Sequence, residues 1–370
     1  MQKIKIAFLG GGINSAVGKT HKIAAEMDNK YEIVAGCFSK NEDINKKTAD
    51  IYGVEKFYRN LEDLIKYEKN NIDVISILTP IPNHKEEVIY CIKNNIPVIC
   101  EKALTTSYEN ALEIKRSLDE YNGFLAITYN YTGYPMIREL KEIIKNGALG
   151  DIIHIDIQMP QESFLKVDKN NNPLKPQEWR LKDYEIPTIY LDLGTHLHDL
   201  ISFLIEKEPL EVTAINNIYG YFNVVDDVRG VVKYYDDIIA NYWFSKSALG
   251  HTNGLKVHIY GKKGSAYWCQ LEPENLYLYD NKGNKKIMDR ASSECIIANQ
   301  ERYNRFKAGH PAGFIEAFAN YYYDIAEMLL SNQQNNKYVF GIDNALEGFM
   351  LLESMNESNK LKDWVNVAKR

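Results

Sequence analysis

The chain has 370 residues, more than one ordinary domain needs and enough for two. Its formal net charge of −6, with acidic and basic residues interleaved, offers no basic field to nucleic acid. No apolar run approaches the roughly 20 residues that span a bilayer. The cysteines are scattered without a Cys-x-x-Cys pair and the N-terminus lacks a signal-peptide pattern, so the expectation is a cytoplasmic protein with reduced, buried thiols.

The first third alternates strand and helix signals. Lys3–Leu9 reads as a buried strand, followed by a glycine-rich turn and a helix over about His21–Met27. Next come a strand over Glu32–Phe38, a helix over Lys40–Tyr52, a strand over Asp73–Leu78 and a helix over Lys85–Asn94. A short strand at Pro97–Cys100, an amphipathic helix over Tyr108–Tyr121 and a strand at Phe124–Thr128 complete the series. Short apolar strands alternating with helices imply a parallel sheet covered on both faces.

The pattern changes after the helix Met136–Asn146, which Gly147 ends. Period-two alternation marks strands at Ile152–Met159, Glu211–Tyr219, Val228–Tyr235, Ile238–Phe244, Leu255–Tyr260, Ser265–Cys269 and Asn275–Tyr279. A helix over Ile189–Leu204 interrupts them, and helices at Gly313–Leu330 and Asn344–Met355 end the pattern. The fold class expected is an α/β Rossmann domain, a parallel doubly wound sheet, over residues 1–130. An α+β domain with a large, mainly antiparallel open sheet follows over 131–370.

Gly10-Gly-Gly12-Ile13-Asn14-Ser15 sits directly after the first strand. In a dinucleotide turn the first glycine permits the bend, the second lets the backbone approach a pyrophosphate, and the third lets helix and strand pack closely. Gly10 and Gly12 fill the first two roles, with Ile13 and Asn14 beside them; Ser15 stands in the third position. The Gly18-Lys19-Thr20 that follows is no P-loop, because Ile13 stands where that motif needs glycine. After the second strand an NAD enzyme would place an acid on the ribose hydroxyls. Ser39 and Lys40 stand there instead: either Lys40 meets a 2′-phosphate or it is a solvated loop residue, which leaves NAD and NADP both open.

Thr79-Pro80-Ile-Pro-Asn83-His84 follows the strand ending at Leu78, so it lines the strand-end crevice where open α/β sheets bind ligands; Asn83 is also placed to cap the next helix. Glu101-Lys102-Ala103 follows Cys100 and sets an ammonium at the same mouth, suited to stabilising a developing alkoxide. In Asp192-Leu-Gly-Thr-His196-Leu-His198-Asp199, Asp192 and His196 are four apart and share a helix face. A carboxylate there fixes the tautomer of an imidazole that takes a hydroxyl proton. His196 and His198 cannot share a face, so no metal is expected.

Taken in order, the glycine turn, Thr-Pro-x-x-x-His, Glu-Lys-x and Asp-x-Gly-x-His-x-x-Asp resemble the Gfo/Idh/MocA oxidoreductases over nearly the whole chain. The resemblance implies catalytic roles: His196 as general acid/base, Asp192 as its orienting or proton-sharing partner, and Lys102 as a substrate and nicotinamide contact. The implied cofactor contacts are Gly10, Gly12, Ile13, Asn14, Ser39, Lys40, Thr79, Pro80, Asn83, His84, Glu101, Lys102 and Asn130. The family usually has proline after the lysine, where this chain has Ala103. Asn130-Tyr131-Thr-Gly-Tyr134-Pro135 and Gly309–Phe314 further resemble members that oxidise glucose units at C3. Tyr131 and Tyr134 either stack on a sugar or pack at the domain junction, and Arg180 either bonds substrate hydroxyls or holds its loop.

The expected activity is hydride transfer between a nicotinamide dinucleotide and a secondary alcohol of a sugar, glycoside or inositol. The alternatives are glycoside cleavage through tightly bound NAD in an internal redox cycle, and a non-catalytic dinucleotide-sensing subunit. The expected partners are a small sugar or polyol and further copies of the chain, with neither nucleic acid nor membrane.

Overall fold

The computed structural model describes residues 3–331 and 336–367. The chain divides into two compact units: Met1–Gly133 with Gly313–Leu346, and Tyr134–Ala312 with Glu347–Arg370.

The first unit is built on six strands: β1 Ile4–Gly10, β2 Tyr31–Cys37, β3 Lys56–Phe57, β4 Val74–Leu78, β5 Val98–Cys100 and β6 Leu125–Ile127. All pair in parallel, in the order β3-β2-β1-β4-β5-β6. This is the doubly wound order, whose topological switch point lies between β1 and β4. Helices α1 Gly18–Met27, α2 Glu42–Tyr52, α3 Leu61–Glu68, α4 His84–Lys93 and α5 Tyr108–Tyr121 connect the strands. β4 is buried along its whole length, as a strand covered on both faces must be.

Local chemistry explains the helix ends. Ser107 caps α5 by accepting from the Asn110 amide, and Asn122 ends it in the left-handed region at φ +49°. Helix α3, not among the elements expected above, carries the same kind of signal: Asn60 accepts from the Asp63 amide at 2.7 Å. Asn83, expected as a cap, makes no capping bond. It lies in a 3₁₀ turn, Ile81–Asn83, that runs directly into α4.

The second unit opens with α6 Pro135–Lys145 and carries α7 Thr195–Ile205. Its strands are β7 Ile152–Pro160, β8 Pro209–Asn217, β9 Asp227–Tyr234, β10 Ile239–Ser245, β11 Lys256–Gly261, β12 Gly264–Cys269, β13 Leu276–Asp280, β14 Lys285–Met288 and β15 Val365–Asn366. They form one nine-stranded sheet, antiparallel except where β7 and β10 run in parallel. The strands alternate sharply. Ile155, Ile157, Ala240, Phe244, Val257 and Trp268 face a buried layer, while Asp156, Gln158, Asn241, Trp243 and His258 lie on the other face. Beyond the sheet, α8 Phe314–Ser331 belongs to the first unit, and α9 Ile342–Leu361 begins there and continues in the second. Among the described residues no helix is long and apolar enough to cross a membrane.

Candidate active site

At the carboxyl end of β1 the chain turns through Gly10 at φ +82° and Gly11 at φ +72°. A Cβ on Gly10 would lie 2.8 Å from the Leu78 carbonyl, and one on Gly12 would lie 2.9 Å from the Phe38 carbonyl oxygen. The third role belongs to Gly18, not Ser15. Gly18 opens α1, and a Cβ there would stand 2.0 Å from the Gly11 oxygen. Ser15 serves the turn differently: its hydroxyl accepts from the amides of Val17 and Gly18. The turn is three residues longer than the familiar spacing, and its backbone still forms a cradle closed to side chains in front of a helix N-terminus. This cradle fits a pyrophosphate.

Around the cradle, Ile13 and Asn14 are exposed, and the Ile13 amide donates to the Thr48 hydroxyl. After β2 the Asn45 side chain accepts from the Phe38 and Ser39 amides, fixing the turn that carries Ser39 and exposed Lys40. No acid stands at this position. The Thr79 hydroxyl donates to Glu87, whose carboxyl is pushed up to about 7, chiefly by burial.

The segments after β4 and β5 are joined from beneath. His84 is fully buried, with Nε2 2.7 Å from the Thr79 carbonyl and Nδ1 3.0 Å from the Ala103 carbonyl. Burial holds its pKa below the ordinary histidine value. Glu101 also turns inward: His21 Nε2 lies 3.0 Å from its carboxylate, and Thr128 donates to it. Burial alone would raise the Glu101 pKa, but the His21 hydrogen bond and the charges of His21 and Lys102 outweigh it and hold it below the ordinary range. His21 Nδ1 meets the Tyr322 hydroxyl at 2.8 Å, which ties the network to α8. Lys102 itself is half-buried, and its peptide bond to Ala103 is cis. Asn130 is 2 % exposed, and its amide nitrogen has no hydrogen-bond partner among the described residues. A buried donor of this kind fits a ligand's acceptor.

In the second unit, α7 is preceded by a π-helical turn, Tyr190–Gly194, where the sequence suggested a continuous α-helix. Such turns re-aim side chains and gather at functional sites. Asp192 lies in this turn, 5 % exposed, and His196 follows on α7, 6 % exposed. Two cations converge on one oxygen of Asp192. Arg180 Nε donates to Oδ2 from 2.9 Å and Lys246 Nζ from 2.6 Å. Arg180 comes from a 3₁₀ turn, Glu178–Leu181, where it lies over the Trp179 ring and donates to Gln177. Lys246 follows directly on β10 and was absent from the sequence-based candidates.

His198 points elsewhere: its Nε2 lies 3.5 Å from Glu347 of α9. Burial, reinforced by Glu347, holds the Asp199 carboxyl well above the ordinary range. The tyrosines of the 130–135 segment are core residues in this structure. Tyr131 is 3 % and Tyr134 2 % exposed, and the Tyr134 ring packs against Trp268 with centroids 5.1 Å apart.

Residues 4–129 match the oxidoreductase family with an NAD-binding Rossmann fold, and residues 137–267 match the Gfo/Idh/MocA C-terminal domain. The chain belongs to the Gfo/Idh/MocA oxidoreductases. A relative in Bacillus subtilis, the uncharacterized oxidoreductase YfiI, is 26% identical across 98% of this chain and 96% of its own. The glucose-6-phosphate 3-dehydrogenase of the same organism is 23% identical across 75% of this chain and 77% of its own. Among solved structures, an inositol dehydrogenase homolog from Azotobacter vinelandii, complexed with NADH and myo-inositol, superposes with a TM-score of 0.88. It has 23% identity and covers 99% of this chain and 98% of its own. Membership makes this chain an NAD-binding oxidoreductase, and the glycine cradle supplies the backbone such a cofactor requires. Of the three residues expected to be catalytic, Lys102 is half-buried and Asp192 and His196 are buried.

Proposed function

We propose that the chain transfers hydride between a nicotinamide dinucleotide and a secondary alcohol of a sugar, glycoside or polyol. In its narrowest form the alcohol is C3 of a glucosyl unit and the product a 3-keto sugar. The observation that carries the reading is the buried Asp192 carboxylate, held by two cations one helical turn before His196. Relatives named for glucose 6-phosphate and inositol support the substrate class, and a relative named as a 3-dehydrogenase supports the position.

When bound, the nicotinamide supplies the hydride chemistry. The chain supplies geometry and proton handling. His196 takes the hydroxyl proton in oxidation and returns it in reduction. Asp192 orients that imidazole and shares its proton. The Lys102 ammonium bonds the reacting oxygen and stabilises negative charge developing there. Arg180 completes the substrate contacts, while Tyr131 and Tyr134 support their segment from within the core. Gly10, Gly12, Ile13, Asn14, Ser39, Lys40, Thr79, Pro80, Asn83 and Asn130 would hold the dinucleotide. His84 and Glu101 hold the segments of the crevice from below.

Replacing His196 by alanine tests the assignment. General acid–base groups contribute about 10²–10⁴-fold, so turnover should fall by at least about a hundredfold. The dinucleotide affinity, followed by fluorescence titration, should be unchanged. A pure H196A protein with wild-type turnover contradicts the role.

A further inference from the structure

Lys246 belongs to no motif, yet it lies closer to the Asp192 carboxylate than Arg180 does, 2.6 Å against 2.9 Å. It is 4 % exposed. Burying an ammonium is costly unless a carboxylate compensates it, so the lysine and Asp192 depend on one another.

The two cations differ in how they are anchored. Arg180 rides on a short 3₁₀ turn and keeps about a quarter of its side chain exposed. Lys246 stands where β10 leaves the sheet. Ser245, just before it, is paired to Pro160 on one side and Asp227 on the other. The Lys246 amide donates to the Asp226 carbonyl at 2.7 Å, and its carbonyl accepts from the Phe164 amide at 2.9 Å. Its Nζ lies 5.5 Å from the centroid of the Phe164 ring. The backbone of Lys246 is therefore held on both sides, and its ammonium gives the carboxylate a fixed reference. A group anchored on a strand sets geometry more tightly than one on a loop.

We propose that Lys246 is a positioning residue for the reaction: its sheet-anchored ammonium fixes Asp192 through Oδ2 and thereby sets the geometry in which Asp192 meets His196. The inference rests on the proposed pairing of Asp192 and His196 as proton-handling groups. Lys246 does not exchange a proton with substrate; it acts through the carboxylate.

The test compares K246M, K246Q, K246R and D192N in the full chain. The probes are NAD with D-glucose, methyl glucoside and myo-inositol, using whichever is turned over fastest. Misplacing a reacting group by about 1 Å costs on the order of a hundredfold. K246M should therefore lower the kcat of the folded protein about 10–100-fold and leave the KM for NAD near wild type, with some loss of melting temperature from the broken buried pair. K246R, which restores the charge, should recover most of the loss. A role confined to holding the fold would lower the melting temperature but leave the kcat of the folded fraction unchanged. If K246M does not fold, K246Q carries the test: a folded K246Q with wild-type kcat overturns the proposal. Inactive D192N beside a fully active K246M overturns the Lys246 proposal alone. Fully active D192N overturns the reading of the site beneath it.

Discussion

Gly18 illustrates how a single residue can carry a role that its spacing conceals. The familiar turn places its third glycine at position 15, where this chain has serine. Three further residues before α1 transfer the role to Gly18, whose α-carbon must pass the Gly11 main chain with no room for a methyl group. In the sequence this glycine is visible as part of a failed P-loop and as the place to which the helix is delayed, not as the third glycine of the turn. G18A should destabilise the chain by about 1–3 kcal/mol, the usual cost of overpacking, and weaken dinucleotide binding along with it. Chemical denaturation and a dinucleotide titration read the two effects, and a variant unchanged in both would show that the turn has slack. Asp192 and His196 were legible as candidates because they share a local motif. Lys246 was not, because it lies 54 positions from Asp192 and meets it only through the sheet. Arg180, at 12 positions, was legible only as a loop residue with two alternative uses.

Regular elements were read well where hydrophobic period and end signals agreed. Helix α5, with a serine before it and asparagine after it, runs over the residues expected. The short strands β3, β14 and β15 offer too few residues for a period, and irregular segments offer none. The long segment between β14 and α8 is an example. Glu139 of α6 is 1 % exposed, and its carboxyl oxygens accept from the amides of Ile296, Ile297 and Ala298 at 2.7–3.0 Å. Arg290, likewise buried, donates to Glu274 and to the carbonyls of Tyr303 and His310. Neither side chain advertises such a role, because nothing local distinguishes a carboxylate that gathers distant amides from one facing solvent. E139A strands the buried amides of Ile297 and Ala298, each costing about 1–3 kcal/mol when unpaired, so a loss of roughly 2 kcal/mol or more is expected. Hydrogen exchange should show faster exchange at residues 296–298, and unchanged protection there would contradict the account.

At the scale of the molecule, the alternation of strand and helix revealed the parallel sheet, and the change to period two revealed the antiparallel one. The place of α8 was hidden. Its tyrosines bond into the first unit, Tyr321 to the Ile127 carbonyl at 2.6 Å and Tyr322 to His21 at 2.8 Å, and no sequence period encodes those partners. The outer face of the nine-stranded sheet carries Ile215, Arg229, Asn241 and Trp243 around Gly230, with Ile215 61% exposed.

The central claim is that the chain transfers hydride to and from a sugar or polyol alcohol, and turnover of the purified protein tests it most directly. Reduced-nicotinamide absorbance would be followed with NAD and with NADP against glucose, glucosides, inositols and sugar phosphates. The account predicts substrate-dependent reduction with at least one class, abolished in H196A. Dinucleotide that binds the protein but is reduced by none of them, with no 3-keto product formed, would contradict it.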